Sequence, residues 1–178
     1  MHECTIAKAL PEDRESILAI KKQAHAYFVQ KLPHLYQLSE TLFTDDFFDS
    51  YFNDVNHVAL LAKVNHQTAG YALIDKVDVD LPMMKKRTYV YIQDMAVGEE
   101  FRNNGIATEL LHAIEKIGIE WKAESLELAV HSNNPGAIHL YKRLGFTIRT
   151  YRMEKSIANQ DIAMDFNATF GQEQRLYH

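Results

Sequence analysis

The stretch Tyr89 to Trp121, YVYIQDMAVGEEFRNNGIATELLHAIEKIGIEW, decides how the rest of the chain can be arranged. Tyr89, Val90, Tyr91 and Ile92 are aromatic or β-branched, and Met95, Ala96 and Val97 prolong the apolar run, which predicts a mostly buried strand ending at Gly98. Beyond it Ile106, Leu110, Ile114, Ile117 and Trp121 recur at helical spacing, with Glu109, His112, Glu115, Lys116 and Glu120 on the other face, so an amphipathic helix follows. Arg102, Asn103, Asn104 and Gly105 join the two elements. Asn and Gly tolerate positive φ, and a helix start leaves backbone N–H groups unpaired, so the junction suits an anion. Similar connections occur where nothing binds, and the loop alone leaves both readings open.

A second motif lies downstream. Ser132 to Phe146 reads SNNPGAIHLYKRLGF: Asn133 or Asn134 can cap a helix, Pro135 suits its first position, and Gly145 suits the residue just past its end. Ala137, Ile138, Leu140, Tyr141 and Leu144 would form the packed face.

Taken together the two motifs resemble the GCN5-related N-acetyltransferase superfamily, GNAT. Arg102, Gly105 and Ala107 match its signature Q/R-x-x-G-x-G/A between a strand and a helix, and Asn134, Ala137, Ile138, Leu140, Tyr141, Gly145 and Phe146 match its downstream N-x-x-A-I-x-L-Y-x-x-x-G-F. The resemblance runs from about Tyr89 to Met153. It departs from the usual pattern where Asn103 follows Arg102 and where Glu99 stands in place of a proline.

The resemblance implies an α/β fold with a central mixed, mostly antiparallel twisted sheet flanked by helices on both faces. It implies acetyl-CoA as co-substrate, with Arg102, Asn103, Asn104, Gly105, Ile106, Ala107 and Thr108 around its diphosphate. Met95, Ala96 and Val97 would hold the pantetheine arm and thioester through backbone groups, with Asn134, Ala137 and Tyr141 on the opposite side. Tyr141 matches the family's general acid, the alternative being a core tyrosine. Tyr27, Tyr36 and Asp94 are the candidate substrate-binding residues. Asp94 is also the candidate base, because a carboxylate interrupting an apolar strand needs a partner or a task. The alternative is that backbone N–H groups or a neighbouring Arg or Lys satisfy it.

Composition sets wider bounds. With 178 residues, 47% hydrophobic and 24% charged, the chain reads as a single domain over residues 1–154 followed by an extension, 155–178, that is either a short helix or disordered. A net charge of -5 disfavours a nucleic-acid binder and mildly favours cationic acceptors. The single cysteine excludes an intrachain disulfide, no apolar run is long enough for a membrane span, and no leader is evident, so a cytoplasmic protein is expected. No histidine pair has zinc-ligand spacing, so no metal is expected, and neither a P-loop nor a G-x-S-x-G elbow is present. Homodimerisation is left open.

Taken in order, the chain predicts a strand over Cys4 to Ala9 and a helix from Pro11 with Ile17, Ile20, Ala24, Tyr27 and Phe28 on one face. An aromatic, acidic segment from Pro33 to Asn53 follows, then a hairpin of His57 to Val64 and Thr68 to Val79. After the central strand and helix come strands over Leu126 to Val130 and Phe146 to Met153, on either side of the second motif. Two functions remain: direct acetyl transfer to an amine, whether a small polyamine-like amine, an aminoglycoside or a protein N-terminus or lysine, and non-catalytic acyl-CoA sensing. An alkylammonium is only about 0.04% neutral at pH 7, so transfer would need a proton acceptor.

Overall fold

The computed structural model describes residues 4–155. Residues through Phe146 form one compact unit, and the chain from Thr147 forms another. In chain order the first unit holds β1 (Cys4–Lys8), a 3-10 turn (Pro11–Asp13), α1 (Arg14–Lys31), α2 (Asp45–Asn53), β2 (His57–Val64), β3 (Gln67–Val79), β4 (Arg87–Val97), a 3-10 turn (Glu99–Phe101), α3 (Ile106–Glu120), β5 (Ser125–Leu128) and α4 (Pro135–Arg143). The sheet runs β1-β2-β3-β4-β5, antiparallel except where β5 joins β4 in parallel. A parallel neighbour requires a crossover, and α3 supplies it.

Local chemistry explains the boundaries. Val64 pairs with Gln67 across Asn65 and His66, whose φ values of 49° and 65° match a two-residue hairpin turn that follows the twist of the strands. Thr44 caps α2 by accepting from the Phe47 amide at 3.3 Å, and Asp45 and Asp46 in the first turn complement the helix dipole.

Each face of the sheet buries its own core. Ile106, Leu110, Leu111 and Ile114 of α3 pack on Val58, Leu60, Ala72, Ile74, Val90 and Ile92, with Leu140 and Tyr141 of α4 and Leu144 just past its end on the same side. Full burial of such an aliphatic side chain contributes about 1.5 to 3 kcal/mol. On the other face Ile17 and Ile20 of α1 and Phe48 and Tyr51 of α2 pack on Ala59, Leu61, Tyr71 and Leu73. The aromatic segment thus places Phe48 and Tyr51 in the core, while Tyr36 stays exposed.

Two expectations need correction. Phe146 to Met153 carries no strand, and β5 is shorter and one residue earlier than predicted. Ile148, Tyr151 and Met153 do not fall on one face of a strand and are exposed, and β-propensity without a face to bury does not make a strand. The expectation for 155–178 falls, after Lys155, outside the described residues.

Candidate active site

β4 is longer than the stretch over which it pairs with β5. Pairing covers Tyr89 to Ile92 opposite Ser125 to Leu128 and then stops, while β4 continues to Val97 against β3. Gly98 N donates to Ala69 O at 2.9 Å, so Gly98, Ala96 and Asp94 direct their backbone groups towards β3. By the two-residue period of the ladder, Met95 and Val97 direct theirs to the open side. Among the described residues, the edge therefore offers the backbone groups of Met95 and the Val97 amide without a strand partner, while Val97 O accepts from Arg102 Nε at 3.4 Å.

The chain leaves this edge through a loop that enters the left-handed region twice, at Asn103 (φ 63°) and Gly105 (φ 82°). Such values cost an ordinary L-residue about 1 to 2 kcal/mol, which is why Asn and Gly stand there. The Thr108 and Glu109 amides are taken by Gly105 O at 2.9 and 3.1 Å, whereas the amides of Asn103 to Ala107 have no protein acceptor among the described residues. A Cβ built on Gly105 would meet nothing within 4 Å, so the backbone there lies against open space. Arg102 folds back, its Nε 3.4 Å from Val97 O and its guanidinium 3.5 Å from Glu99, an exposed pair of small energetic weight. Asn104 is occupied in the loop, donating to Phe101 O and Arg102 O. Free amides at the start of a 15-residue helix, next to one guanidinium, fit a diphosphate.

Asp94 faces the other way. Between Leu73↔Asp94 and Ile74↔Ile92 the register shifts by one, so Gln93 is the extra residue of a β-bulge. Without it Ile92 and Asp94 would share a face by strand alternation. With it Ile92 stays in the α3 core and Asp94 lies with Tyr71 and Leu73 under α1 and α2. Oδ2 of Asp94 accepts from Lys21 Nζ and from the Tyr71 hydroxyl, both at 2.7 Å. A neighbouring lysine does satisfy the carboxylate, as the structural alternative anticipated. Burial and then the Asp94 charge raise the Tyr71 phenol well above its ordinary value, so it remains a donor.

A second carboxylate lies on the same face. Asp75 Oδ1 accepts from the Tyr51 hydroxyl at 2.7 Å and sits 2.9 Å from His57 Nδ1. Burial, the Asp75 hydrogen bond and the charges of Asp75 and Asp94 all push the Tyr51 phenol up. Lys21, Tyr71, Asp75, His57 and Tyr51 were not among the candidates. The period-2 row Tyr71, Leu73, Asp75 was the available signal, since it sets two polar tips on one side of a strand.

On α4, Asn134 Oδ1 accepts from Ala137 N at 3.1 Å, so the predicted cofactor residue is also the helix cap. Ala137 is half-buried in the first turn. Tyr141 packs against Phe146 with centroids 5.4 Å apart, and its phenol is pushed up to about 12 by burial and by the charge of Asp94. Tyr141 packs in the α3-side cluster together with Val90 and Ile92 of β4, the strand that carries Asp94. Tyr36 stacks on Phe28 at 5.4 Å and edge-on to His25 at 6.2 Å, and Tyr27 meets Phe28 edge-on at 5.6 Å. Neither is hydrogen-bonded to Asp94. Among the described residues no cluster of three or more His, Cys, Asp or Glu is placed to hold a metal, and no helix is long and apolar enough to cross a membrane.

Known proteins resemble this chain in sequence and fold. The chain is 36% identical over 83 residues to GCN5-related N-acetyltransferase 4, chloroplastic, of Arabidopsis thaliana, covering 44% of this chain and 28% of that one. It is 33% identical over 107 residues to an N-alpha-acetyltransferase of Sulfurisphaera tokodaii, covering 56% and 62%. The chain thus spans less than two thirds of the length of these relatives. Among solved structures, a mutant of the BH1408 protein from Bacillus halodurans superposes with a TM-score of 0.82 at 25% identity, over 86% of this chain and 99% of that one. An aminoglycoside N-acetyltransferase in complex with a CoA bisubstrate analogue superposes with a TM-score of 0.66 at 15% identity, over 86% and 99%, a likeness of fold. The acetyltransferase (GNAT) family profile matches residues 22–146, from α1 to the end of the second motif, and the chain belongs to that family.

Proposed function

We propose that this protein is an N-acetyltransferase that moves the acetyl group of acetyl-CoA directly to a primary amine. The observation that carries the reading is the open edge of β4. Among the described residues, the open-side backbone groups of Met95 and the Val97 amide have no protein partner, on the strand that carries Asp94 and leads into the free amides of Asn103 to Ala107. The co-substrate supplies an activated thioester. The amides of Asn103 to Ala107, with Arg102, would hold its diphosphate, and the β4 edge would align its arm as one more hydrogen-bonded neighbour. The names of the relatives and the CoA complex of the aminoglycoside enzyme support the same chemistry.

Asp94 then attracts the acceptor ammonium and takes its proton, directly or through a water. Tyr141 serves the departing thiolate. Full proton transfer from a phenol near 12 to a thiolate whose thiol titrates near 8.5 is uphill by about 5 kcal/mol, so Tyr141 acts mainly as a hydrogen-bond donor, with the proton following late.

The deciding experiment incubates the protein with acetyl-CoA and a panel of amines and follows release of free thiol. Amine-dependent release, with the acetylated amine identified by mass spectrometry, is expected. Tight acetyl-CoA binding with no turnover on any amine would replace the transferase by an acyl-CoA sensor.

A further inference from the structure

On the basis of that reading, the surroundings of Asp94 also speak to the acceptor. Lys21 Nζ lies 2.7 Å from Asp94 Oδ2 and 5.0 Å from the centre of the Phe43 ring, and Tyr71 donates to the same Oδ2 at 2.7 Å. Four separate segments, α1, the stretch before α2, β3 and β4, thus converge on one ammonium. Carboxylate on one side and ring face on the other is how a binding pocket recognises an alkylammonium. The side chains of Lys21 and Asp94 are 23% and 22% exposed, so the pair is neither a solvated surface bridge nor sealed in the core. Lysine's flexible stem lets its head leave such a site for water.

We propose that Lys21 is a built-in occupant of the acceptor's ammonium subsite. The acceptor's reactive head is then an unbranched primary alkylammonium, as on a polyamine or a lysine side chain, and it displaces Lys21 from Asp94 and Phe43. Two ammonium groups in contact with one carboxylate oxygen repel, so Lys21 departs when the acceptor arrives. The shape argument comes from Lys21 itself, because the head that fills the subsite enters on a straight methylene chain. An α-amine sits on a branched carbon and would press that branch between the Phe43 and Tyr71 rings. Asp75, farther along the same face, adds to a field that favours cations. Lys21 therefore acts as a specificity-determining competitor.

The test has two arms. In kinetics, n-butylamine is compared with a lysine-free peptide bearing only its α-amine. Lys21→Met should lower KM for n-butylamine by about tenfold, the scale of one charged hydrogen bond removed from the competition, with the change falling on KM. Lys21→Arg, which keeps the competing charge, should restore the wild-type value. A raised or unchanged KM in Lys21→Met, or a larger kcat/KM for the peptide α-amine, overturns the proposal. In the second arm, wild-type protein carrying 13Cε-labelled lysine is titrated with n-butylammonium and with neutral n-butanol. The Lys21 resonance, assigned by its loss in Lys21→Arg, should move to the position of a solvated lysine with the cation alone. An unmoved resonance overturns the proposal even if Lys21→Met fails to fold. If no amine is acetylated by any variant, the transferase reading fails separately, because displacement is read without turnover.

Discussion

On the α3 side of the sheet the buried side chains are apolar and binding capacity lies in the backbone, at the edge of β4 and the amides before α3. On the α1 and α2 side the capacity lies in side chains, with Asp94, Asp75, Tyr71, Tyr51, His57 and Lys21 joined by hydrogen bonds among the aromatics. The contrast follows from what each side would meet. A diphosphate and an amide-bearing arm are the same in every reaction and can be met by main-chain groups, which side-chain replacement does not alter. An acceptor amine has a charge to neutralise and a proton to lose, and only side chains offer that. Tyr141 belongs to the first side by packing, while the charge of Asp94 on the second side helps to raise its phenol.

The sharpest way to break this division is at Tyr141. Tyr141→Phe should keep acetyl-CoA binding by calorimetry and lower kcat by about 10²-fold or more, as for loss of a general acid. An unchanged kcat across pH would make Tyr141 a packing residue of the α3 side.

A smaller effect is expected in the loop. Gly105→Val should weaken acetyl-CoA binding by about tenfold or more, because it forces a β-branched residue to φ 82° and fills the open space against the backbone. Wild-type affinity in calorimetry would remove the loop from the co-substrate site. Gly118→Ala is the contrasting control, since its Cβ would meet Val90 and Leu126 at 3.3 and 3.4 Å. That change should lower the melting temperature and leave coenzyme affinity within about twofold, since the contacts it strains are core packing.

Asp94→Asn should raise KM for a cationic amine several-fold and move the pH optimum upward, with acetyl-CoA affinity within about twofold. The variant also leaves the Lys21 ammonium half-buried without its counter-charge, so a lower melting temperature is expected too. The same exchange in a Lys21→Met background separates the two effects: the stability cost should shrink and the kinetic cost should remain. Loss of both costs together would assign Asp94 to the fold.

The smallest effect is a pH dependence. The Tyr141 phenol is raised from 10.0 to about 12 in the folded chain, so the folded state holds its proton more tightly than the unfolded state. Its contribution is fully present below pH 10 and is lost as pH rises from 10 to 12, amounting to about 2 to 3 kcal/mol. Tyr141→Phe should therefore flatten part of the alkaline limb of a denaturation series between those values. An identical limb in the variant would place the phenol in a less buried setting.

The bulge at Gln93 shows why one side of the sheet was more legible than the other. Strand, loop and helix from Tyr89 to Trp121 were readable because each rests on local rules: β-branched and aromatic runs, Asn103 and Gly105 at positive φ, a 3.6-residue apolar stripe. The helix of the second motif was equally local, with Asn134 as cap and Gly145 at φ 88° beyond its end. Asp94 could be singled out, but its environment could not, because one inserted residue reverses the facing of everything on one side of it and no local propensity reveals where a bulge falls. Lys21 and Phe43 lie 73 and 51 positions before Asp94, and the strand expected at Phe146 to Met153 is absent. Local conformational preference, written in neighbouring residues, was enough to give the backbone that would hold the co-substrate. The carboxylate's lysine, its tyrosine and the ring beside them come from segments that meet only when the sheet is assembled, so packing alone determined the side that would receive the acceptor.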